Sequence, residues 1–364
     1  MPRTIDQRTL NRTTLDRQLL LARSAMPPLS AVERLVALQA QDPNLPYYGL
    51  WSRLTGFRQK QLTDLLHDRS VVRSSILRGT QHVAAADDFR YIRPLVQRSM
   101  LGARQAAFGR VTKDWDLDEL AARTRELLAG RTLTRPQLAR ALAEIWPGRD
   151  LQALGWSAQA LVPVVHPPPS GTWNTWGATP FALPEDWIGE PPQTDPTPDR
   201  LIHRYLAAFG PASVKDFQMW SGMRRMDADF DRLRPDLRVY HDENGVELFD
   251  LPDAALVEDA PAPIRFLPDL DNLLLAYADR TRVMTAEQRA IICVGAWVKA
   301  TVLVDGRTHG IWNLKHDRKA RHAALTIETF APLPDEPSVR EEAGALLRFA
   351  APDSDHEIRI TPLR

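Results

Sequence analysis

The sequence predicts an α+β fold in which three helix-turn-helix and β-wing units, a tandem winged-helix arrangement, precede a C-terminal mixed β platform. A helix-capping pattern recurs three times, strand or turn signals follow each occurrence, and the pattern becomes strand-rich after residue 255. At 364 residues the chain exceeds a single compact core, so two or three structural units are expected.

The capping pattern places a hydroxyl residue three positions before an acid or amide, which satisfies two free backbone N–H groups at a helix start. It occurs at Ser30–Glu33, Thr134–Gln137 and Ser213–Asp216. Each occurrence follows a helical stretch and a turn, and the three helical stretches are Leu15–Arg23, Leu117–Leu128 and Leu201–Phe209. Three occurrences in the same context predict a repeated helix-turn-helix.

The segments that follow each pair of helices are typical of a third helix and a wing. They are a helix over Gln59–Asp68 with strands Val71–Leu77 and His82–Ala85, a helix over Leu151–Val165 with the Trp/Pro-rich stretch Thr172–Leu183, and a helix over Ala228–Leu233 with a hairpin of Leu237–Tyr240 and Val246–Leu251 that turns at Asn244-Gly245. This order is that of winged-helix units.

Domain boundaries are expected near Gly109–Asp114 and in the Pro-rich linker Glu190–Asp199. The predicted domains are residues 1–110, 111–190 and 191–253 for the three units, and 254–364 for the β-rich region. That last region has strands over Val298–Val304 and Thr308–Leu314 joined at Asp305-Gly306, then a helix over Ser338–Leu347 and a strand over Glu357–Thr361. We expect its platform to include strands donated from elsewhere in the chain.

The charge distribution indicates an anionic partner. The chain has 46 Lys and Arg and 46 Asp and Glu, but residues 1–110 contain 17 basic and 8 acidic residues, a net of +9, and the remainder has a net of −9. Such asymmetry predicts a basic surface for a partner such as nucleic acid. The alternative is a solvated basic face that the acidic part of the fold neutralises.

Several functional classes lack their sequence signatures. The single cysteine, Cys293, cannot form an intramolecular disulfide, and no signal peptide or membrane-spanning apolar run is evident, so we expect a cytoplasmic protein. We find no phosphate-binding Gly-rich loop, no His-Glu-x-x-His and no Cys pair for zinc, and we expect neither metal nor cofactor. No heptad or other dimerisation element is evident, so a monomer is expected.

Two segments carry groups with possible chemical roles. Gln39-Ala40-Gln41 precedes Asp42-Pro43 and is predicted to close the first capped helix, where residues i and i+2 do not share a face. On spacing alone the two Gln are solvated amides at a helix end. Asp269 and Asp271, after Pro268, can supply a general base or order a turn, and turn formation is the more common role of such residues.

With Gln39-Ala40-Gln41 in place, the chain resembles the AlkZ-like tandem winged-helix DNA glycosylases of the azinomycin self-resistance type, and more distantly the YcaQ-like proteins. Beyond the Gln pair, the resemblance covers most of the chain and is carried by Leu77–His82 leading to Arg93-Pro94-Leu95, by Arg204–Leu206 through Gly210-Pro211-Ala212 to Trp220-Ser221-Gly222, by Leu267–Leu275 with Asp279-Arg280, and by Thr301–Gly306. These strings are specific together, whereas Gln-x-Gln alone is not.

The resemblance implies a monofunctional DNA glycosylase that hydrolyses the N-glycosidic bond of N7-alkylated guanine in double-stranded DNA, with Gln39 and Gln41 positioning the water. Family members with Gln-x-Asp act on simpler alkylation damage, so Gln41 points toward bulky natural-product adducts or interstrand crosslinks, which is self-resistance repair at the nucleoid. An amide has no useful pKa, so neither Gln is a general base, and Asp42 is the nearest carboxylate in sequence.

The resemblance also implies the DNA contacts. The first wing contributes Arg78, Thr80 and His82, and a hairpin between the last strands, thought to enter the DNA groove, would carry Arg307, His309 and Trp312. His309 can tune adduct choice or be a solvated hairpin residue. The competing functions are a non-catalytic winged-helix regulator, which usually dimerises to match two half-sites, and a nucleic-acid scaffold with an inert Gln pair.

Overall fold

The computed structural model describes residues 3–363. Within this range the N-terminal part consists of β1 (Arg3–Ile5), α1 (Gln7–Arg17), α2 (Pro28–Arg34), β2 (Leu38–Gln39), α3 (Leu45–Arg53), α4 (Gln59–His67), β3 (Val71–Ser75), β4 (Gln81–Ala85), α5 (Ala86–Leu95) and α6 (Gln97–Phe108). Strands β2, β4 and β3 form one antiparallel sheet in that order. The strand pair predicted at Val71–Leu77 and His82–Ala85 is therefore present, although its first strand ends at Ser75.

The second part contains α7 (Leu117–Leu128), β5 (Leu133–Thr134), α8 (Arg135–Ile145), α9 (Leu151–Leu161), β6 (Pro180–Phe181) and α10 (Pro184–Trp187). The third contains α11 (Asp199–Phe209), α12 (Val214–Ser221), α13 (Asp227–Leu233), β7 (Arg238–Asp242) and β8 (Glu247–Asp250). Strand β1 pairs in parallel with β7, so residues 3–5 add a strand to the β7–β8 hairpin of the third part. Arg17 ties α1 to the same hairpin through two hydrogen bonds to Asp250, at 2.7 and 2.8 Å.

Two of the three predicted capping boxes are confirmed, at Thr134 and Ser213, where the side chains of Gln137 and Asp216 accept the N–H of the capping residue at 2.8 and 2.9 Å. The prediction at Ser30 is wrong, because α2 already begins at Pro28. A proline suits the first helical position, since its fixed φ is helical and its missing N–H needs no partner there.

The predicted helix Leu15–Arg23 is also wrong beyond its first turn, because α1 ends at Arg17. This helix instead begins eight residues earlier than expected, after Asp6, whose carboxylate accepts the Thr9 N–H at 2.7 Å. Its sequence is polar at many positions, yet Asn11 and Arg12 are buried in the folded chain. Burial of polar residues removes the apolar periodicity by which a helix is recognised in sequence.

The C-terminal part contains β9 (Arg265–Leu267), α14 (Asn272–Leu275), α15 (Ala286–Ile292), β10 (Cys293–Val294), β11 (Trp297–Val298), β12 (Thr301–Val304), β13 (Arg307–Asp317), β14 (His322–Thr329), α16 (Glu336–Ala350) and β15 (Asp355–Pro362). Five of the strands form a mixed sheet in the order β15-β14-β13-β12-β9, with β14 and β15 parallel. The expected mixed platform is present, but across residues 3–363 it takes no strand from outside this part.

Two large apolar clusters meet at the strand that carries the Gln pair. One cluster joins Val36 and Ala37 to the helices of the third part, and the other joins Leu38 and Ala40 to α3, α16 and the five-stranded sheet. The segment 36–40 thus passes from one core to the other, and its backbone is fixed from both sides. None of the helices within residues 3–363 has the length and apolar character needed to cross a bilayer.

Candidate functional site

Gln39 lies in the short strand β2 and Gln41 lies at a bend two residues further on, so the predicted helix end at this point is wrong. In β2, Gln39 is the antiparallel partner of His82 in β4. The pairing continues one residue further, because the Ala40 N–H donates to the Gln81 carbonyl at 2.7 Å. The two amides have different surroundings. Gln39 is buried against Arg78, whereas Gln41 is exposed and its Oε1 accepts the Gln81 N–H.

The amide of Gln39 has a fixed orientation. Its side chain is buried, at 7% exposure, and its Oε1 accepts a hydrogen bond from the Arg78 guanidinium at 2.8 Å. A guanidinium can only donate, so this contact identifies the oxygen, and among residues 3–363 no acceptor engages the amide NH₂. The guanidinium also donates to the carbonyl of Trp220 at the end of α12. Gln39 is therefore linked through Arg78 to the third part of the chain.

His82 completes this arrangement as a neutral side chain. It is 1% exposed, its Nδ1 lies 2.9 Å from the Thr80 carbonyl, and its Nε2 lies 3.4 Å from the Arg78 guanidinium. Burial, and then the charge of Arg78, lower the pKa of His82 to about 3. Burial also lowers the pKa of Arg78, to about 10, so it stays charged at neutral pH. The neutral ring therefore carries its proton on Nδ1 and accepts from Arg78.

Arg73, which the sequence analysis missed, holds the residue between the two Gln. From β3 its Nε and one terminal nitrogen donate to the Ala40 carbonyl at 3.1 and 2.7 Å. The other terminal nitrogen donates to Ser170 Oγ at 2.6 Å. Gln81 links the two sides, because its side chain accepts from Arg73 and its N–H donates to Gln41 Oε1 at 3.4 Å. A charged residue inside the buried strand Val71–Ser75 was the available signal.

Two cavities adjoin the segment. The first cavity has a volume of ≈ 670 Å³, and its lining includes Gln41, Thr80 and Trp176. The second cavity has a volume of ≈ 590 Å³, and its lining includes Asp42, Asp269 and Trp176. Trp176 borders both, and its indole N–H donates to Asp42 Oδ2 at 2.8 Å. Together the two cavities form a cleft that this Trp–Asp contact divides.

The three carboxylates considered from the sequence differ in their partners. Asp271 forms a buried bidentate ion pair with Arg53, with both contacts at 2.8 Å, and also caps α14. Asp42 accepts the Asn44 N–H on Oδ1 at 2.8 Å and Trp176 on Oδ2. Asp269 accepts the Ala300 N–H on Oδ1 at 2.7 Å and has no cationic partner within residues 3–363. Asp271 thus has a structural role, whereas Asp42 and Asp269 border the cleft.

The predicted DNA-probing turn at Asp305-Gly306 is anchored to the protein. Asn11 donates to the Gly306 carbonyl at 2.9 Å, and Arg12 donates to the Asp305 carbonyl at 3.0 Å. Gly306 has a φ of 74°, and a Cβ added there would lie 2.5 Å from Leu15 Cδ1. The turn therefore packs on α1, and its entry into a DNA groove stays a prediction.

The other predicted DNA contacts also have partners in the protein. Arg307 donates to the Thr281 carbonyl at 3.0 Å, and the His309 ring lies 3.2 Å from the Ala331 carbonyl. The Trp312 indole donates to the Leu267 carbonyl at 2.8 Å and lines the second cavity. Like Arg78 and His82, these residues use polar atoms within the fold. Their contact with DNA stays a prediction.

The hairpin between β13 and β14 is more exposed at its tip than the turn at Asp305-Gly306. Its tip presents Arg318, Lys319 and Arg321, all exposed to solvent. The Arg318 guanidinium lies 5.8 Å from the ring centre of Trp176, so the tip reaches the edge of the cleft. The basic run from Lys315 to His322 was a signal for this hairpin that the sequence analysis did not use.

Comparisons with known proteins agree with this architecture. A family model described as DNA glycosylase AlkZ-like matches residues 32–349. An interstrand DNA cross-link repair glycosylase of Streptomyces sahachiroi is 25% identical over 330 residues, which cover 82% of this chain and 85% of that protein. The solved structure of Streptomyces sahachiroi DNA glycosylase AlkZ has a TM-score of 0.80 at 23% identity and covers 98% of this chain and 100% of that one. This structural likeness shows a shared fold.

Proposed function

The chain belongs to the AlkZ-like DNA glycosylase family, and we propose that it hydrolyses the N-glycosidic bond of N7-alkylated guanine in double-stranded DNA. The family match extends over most of the chain and includes the whole Gln39–Gln41 segment. A glycosylase of this kind is a hydrolase, and it needs a damaged nucleotide, a water molecule and a surface for DNA. We propose that the Gln pair positions the water, that the cleft holds the damaged nucleotide and that basic side chains bind the DNA.

The chemistry of the proposed substrate suits an amide pair. Alkylation at N7 places a positive charge on guanine, so the base departs as a neutral molecule and the sugar develops oxocarbenium character. The barrier is then lowered mainly by a well-placed water and by oriented dipoles, and a strong base contributes less. The amide of Gln39, with its oxygen held by Arg78 and its NH₂ free, is such an oriented dipole, and this contact is the observation that carries the proposal.

Gln41 would act beside Gln39 on the same water or on the sugar. Its Oε1 accepts the Gln81 N–H at 3.4 Å, and its exposed amide borders the first cavity. A buried, oriented Gln39 and an accessible Gln41 two residues further on would hold a nucleotide between the protein core and the cleft.

The size of the cleft supports bulky substrates. The cavities of ≈ 670 and ≈ 590 Å³ on either side of Trp176 far exceed the volume of a methyl group. A relative is named an interstrand DNA cross-link repair glycosylase, and we extend that activity to this chain as part of the proposal. Removal of natural-product adducts or unhooking of crosslinks would make the protein a self-resistance repair enzyme.

DNA would bind along the basic N-terminal part and the β13–β14 hairpin. We propose that residues 1–110, 111–190 and 191–253 form three winged-helix units, each with a helix-turn-helix and a β pair, and that 254–364 forms the platform. Arg318, Lys319 and Arg321 would then contact the phosphates nearest the cleft. A single chain would suffice, so the enzyme is proposed to act as a monomer, at the nucleoid in the cytoplasm.

The decisive experiment is incubation of the protein with duplex DNA that carries N7-methylguanine, with analysis of the released base. The proposal predicts free 7-methylguanine and an abasic site, from wild type and not from a Gln39→Ala, Gln41→Ala double variant. A non-catalytic winged-helix regulator would bind DNA without release of base, and it would favour particular sequences over damaged sites. That outcome would replace the proposed function.

A further inference from the structure

The proposed reaction leaves one proton without an acceptor. Water that attacks the sugar must lose a proton, and neither Gln39 nor Gln41 can take it, because an amide is not a useful base at neutral pH. We propose that Asp269 accepts this proton as the general base. This inference rests on the proposed function and adds to it a residue from the turn between β9 and α14, far from the Gln pair in sequence.

Asp269 shares a crevice with Gln39. This small crevice, of ≈ 10 Å³, is lined by both residues together with Leu45, Pro268 and Leu270 among others. A single water needs about 10–15 Å³ of such space and two or more polar partners. The crevice therefore has close to the volume that one water requires, and the polar residues on its lining are Gln39, Asp269, Asp271 and Asn272. Asp269 also lines the second cavity.

The other two carboxylates are less suited to this role. Asp271 is committed to Arg53 in a buried ion pair, and a base in such a pair would have to surrender its partner on protonation. Asp42 accepts the Asn44 N–H and the Trp176 indole, and it does not line the crevice beside Gln39. Asp269 lines that crevice, and the Ala300 N–H donates to its Oδ1 at 2.7 Å and so orients the carboxylate.

The step balances without any further reactant. The C1′–N9 bond breaks and its electron pair neutralises the positive charge of the alkylated base, which leaves as the neutral purine. The water oxygen bonds to C1′, and its proton moves to the Asp269 carboxylate, from which solvent later removes it. The negative carboxylate also favours the positive charge that develops on the sugar.

The surroundings of Asp269 set the expected pH dependence. Burial raises its pKa above the ordinary value, against the opposing hydrogen bonds of Ala300 and Trp297, and the charge of Asp42 raises it further. The other charged groups that line the second cavity are Lys299 and Glu328. A base must be ionised, so the rate should fall as the pH falls through this raised pKa.

The test is single-turnover release of 7-methylguanine as a function of pH, by wild type, Asp269→Asn and Asp42→Asn. We expect Asp269→Asn to lose the acidic limb of the profile and roughly a hundredfold in rate. General bases contribute about 10²–10⁴-fold, and the smaller contribution is expected here because the cationic base is already a good leaving group. Asp42→Asn should keep the limb and move it to lower pH, because removal of a neighbouring negative charge eases ionisation of Asp269. Thermal stability and DNA affinity serve as controls for folding.

A second variant makes the test independent of the amide replacement. Asp269→Ala should be slow and should regain part of its rate in formate, which can restore a carboxylate to the vacated space, whereas formate should not accelerate wild type. If wild type is active and Asp269→Asn keeps the full rate and the acidic limb, the inference about Asp269 is wrong and the proposed function stands. A wild type that releases no base at any pH overturns the proposed function and the inference together.

Discussion

The Arg78 guanidinium donates to Gln39 Oε1 over 2.8 Å and, in the same position, to the carbonyl of Trp220, which is 142 residues away. Arg78 adopts a φ of 55°, in the left-handed region that non-glycine residues seldom occupy. Such backbone strain persists when the surrounding structure fixes the residue. The contact therefore makes the orientation of a proposed catalytic amide depend on the packing of the third part of the chain against the first.

We expect Arg78→Ala to lower excision by about tenfold or more, because the Gln39 amide loses the donor that orients it. The variant should also lose stability, since a buried acceptor left without its partner costs about 1–3 kcal/mol. Arg78→Lys is the matched control, because it keeps the charge but has fewer donors in a fixed geometry. Single-turnover rates and thermal melts of the two variants separate the effects.

A double-mutant cycle distinguishes orientation of Gln39 from a general effect on folding. In a Gln39→Ala background the additional Arg78→Ala change should lower the rate little further, because the group that Arg78 orients is already absent. Fully additive losses in rate would show that Arg78 does not act through Gln39.

The Gln pair itself gives a second prediction. Gln39→Ala and Gln41→Ala should each reduce the single-turnover rate by roughly a hundredfold, by analogy with loss of one oriented donor, with DNA affinity nearly unchanged. Gln41→Glu is the sharper change. A carboxylate can still accept the Gln81 N–H, so folding should persist. If Gln41 only orients water, the variant should keep or gain activity; if its amide N–H must donate, activity should be lost. Wild-type rates in the double alanine variant would show that neither amide takes part in the reaction.

The sequence predicted those elements that depend on neighbouring residues, such as the capped starts of α8 and α12 at Thr134 and Ser213. It failed for β2, because a strand of two residues has no periodicity to detect and is defined by pairing with β4. The Gln pair was found through family resemblance. Its supporting arginines were not assigned that role, because Arg73 and Arg78 act through partners distant in the chain.

The charge of the β13–β14 hairpin leads to a third prediction. Replacement of Arg318, Lys319 and Arg321 by Gln should weaken binding to duplex DNA and flatten its dependence on salt, since each phosphate contact contributes a slope of about 0.9. A loss of two or three contacts should therefore be visible in a titration between low and moderate salt. Thermal stability should change little, because the three side chains are exposed. An unchanged salt slope would place the DNA elsewhere.

The last prediction tests whether the Asp305-Gly306 turn is anchored on α1. Gly306 and Gly245 both adopt left-handed backbone, with φ of 74° and 77°, and both lie in hairpin turns. An alanine at either position carries the strain of that conformation, about 1–2 kcal/mol. At Gly306 the new Cβ would also lie 2.5 Å from Leu15 and 2.6 Å from Arg12, whereas no atom lies within 4 Å of it at Gly245.

Gly306→Ala should therefore lower the free energy of unfolding by about 1–3 kcal/mol more than Gly245→Ala, the typical cost of inserting an atom into a packed site. Chemical denaturation of both variants measures the difference, with wild type as the reference. Equal losses would mean that the turn can move away from α1 at little cost, and a hairpin that detaches in this way could still enter a DNA groove. A larger loss at Gly306 leaves the β13–β14 tip as the projecting hairpin beside the cleft.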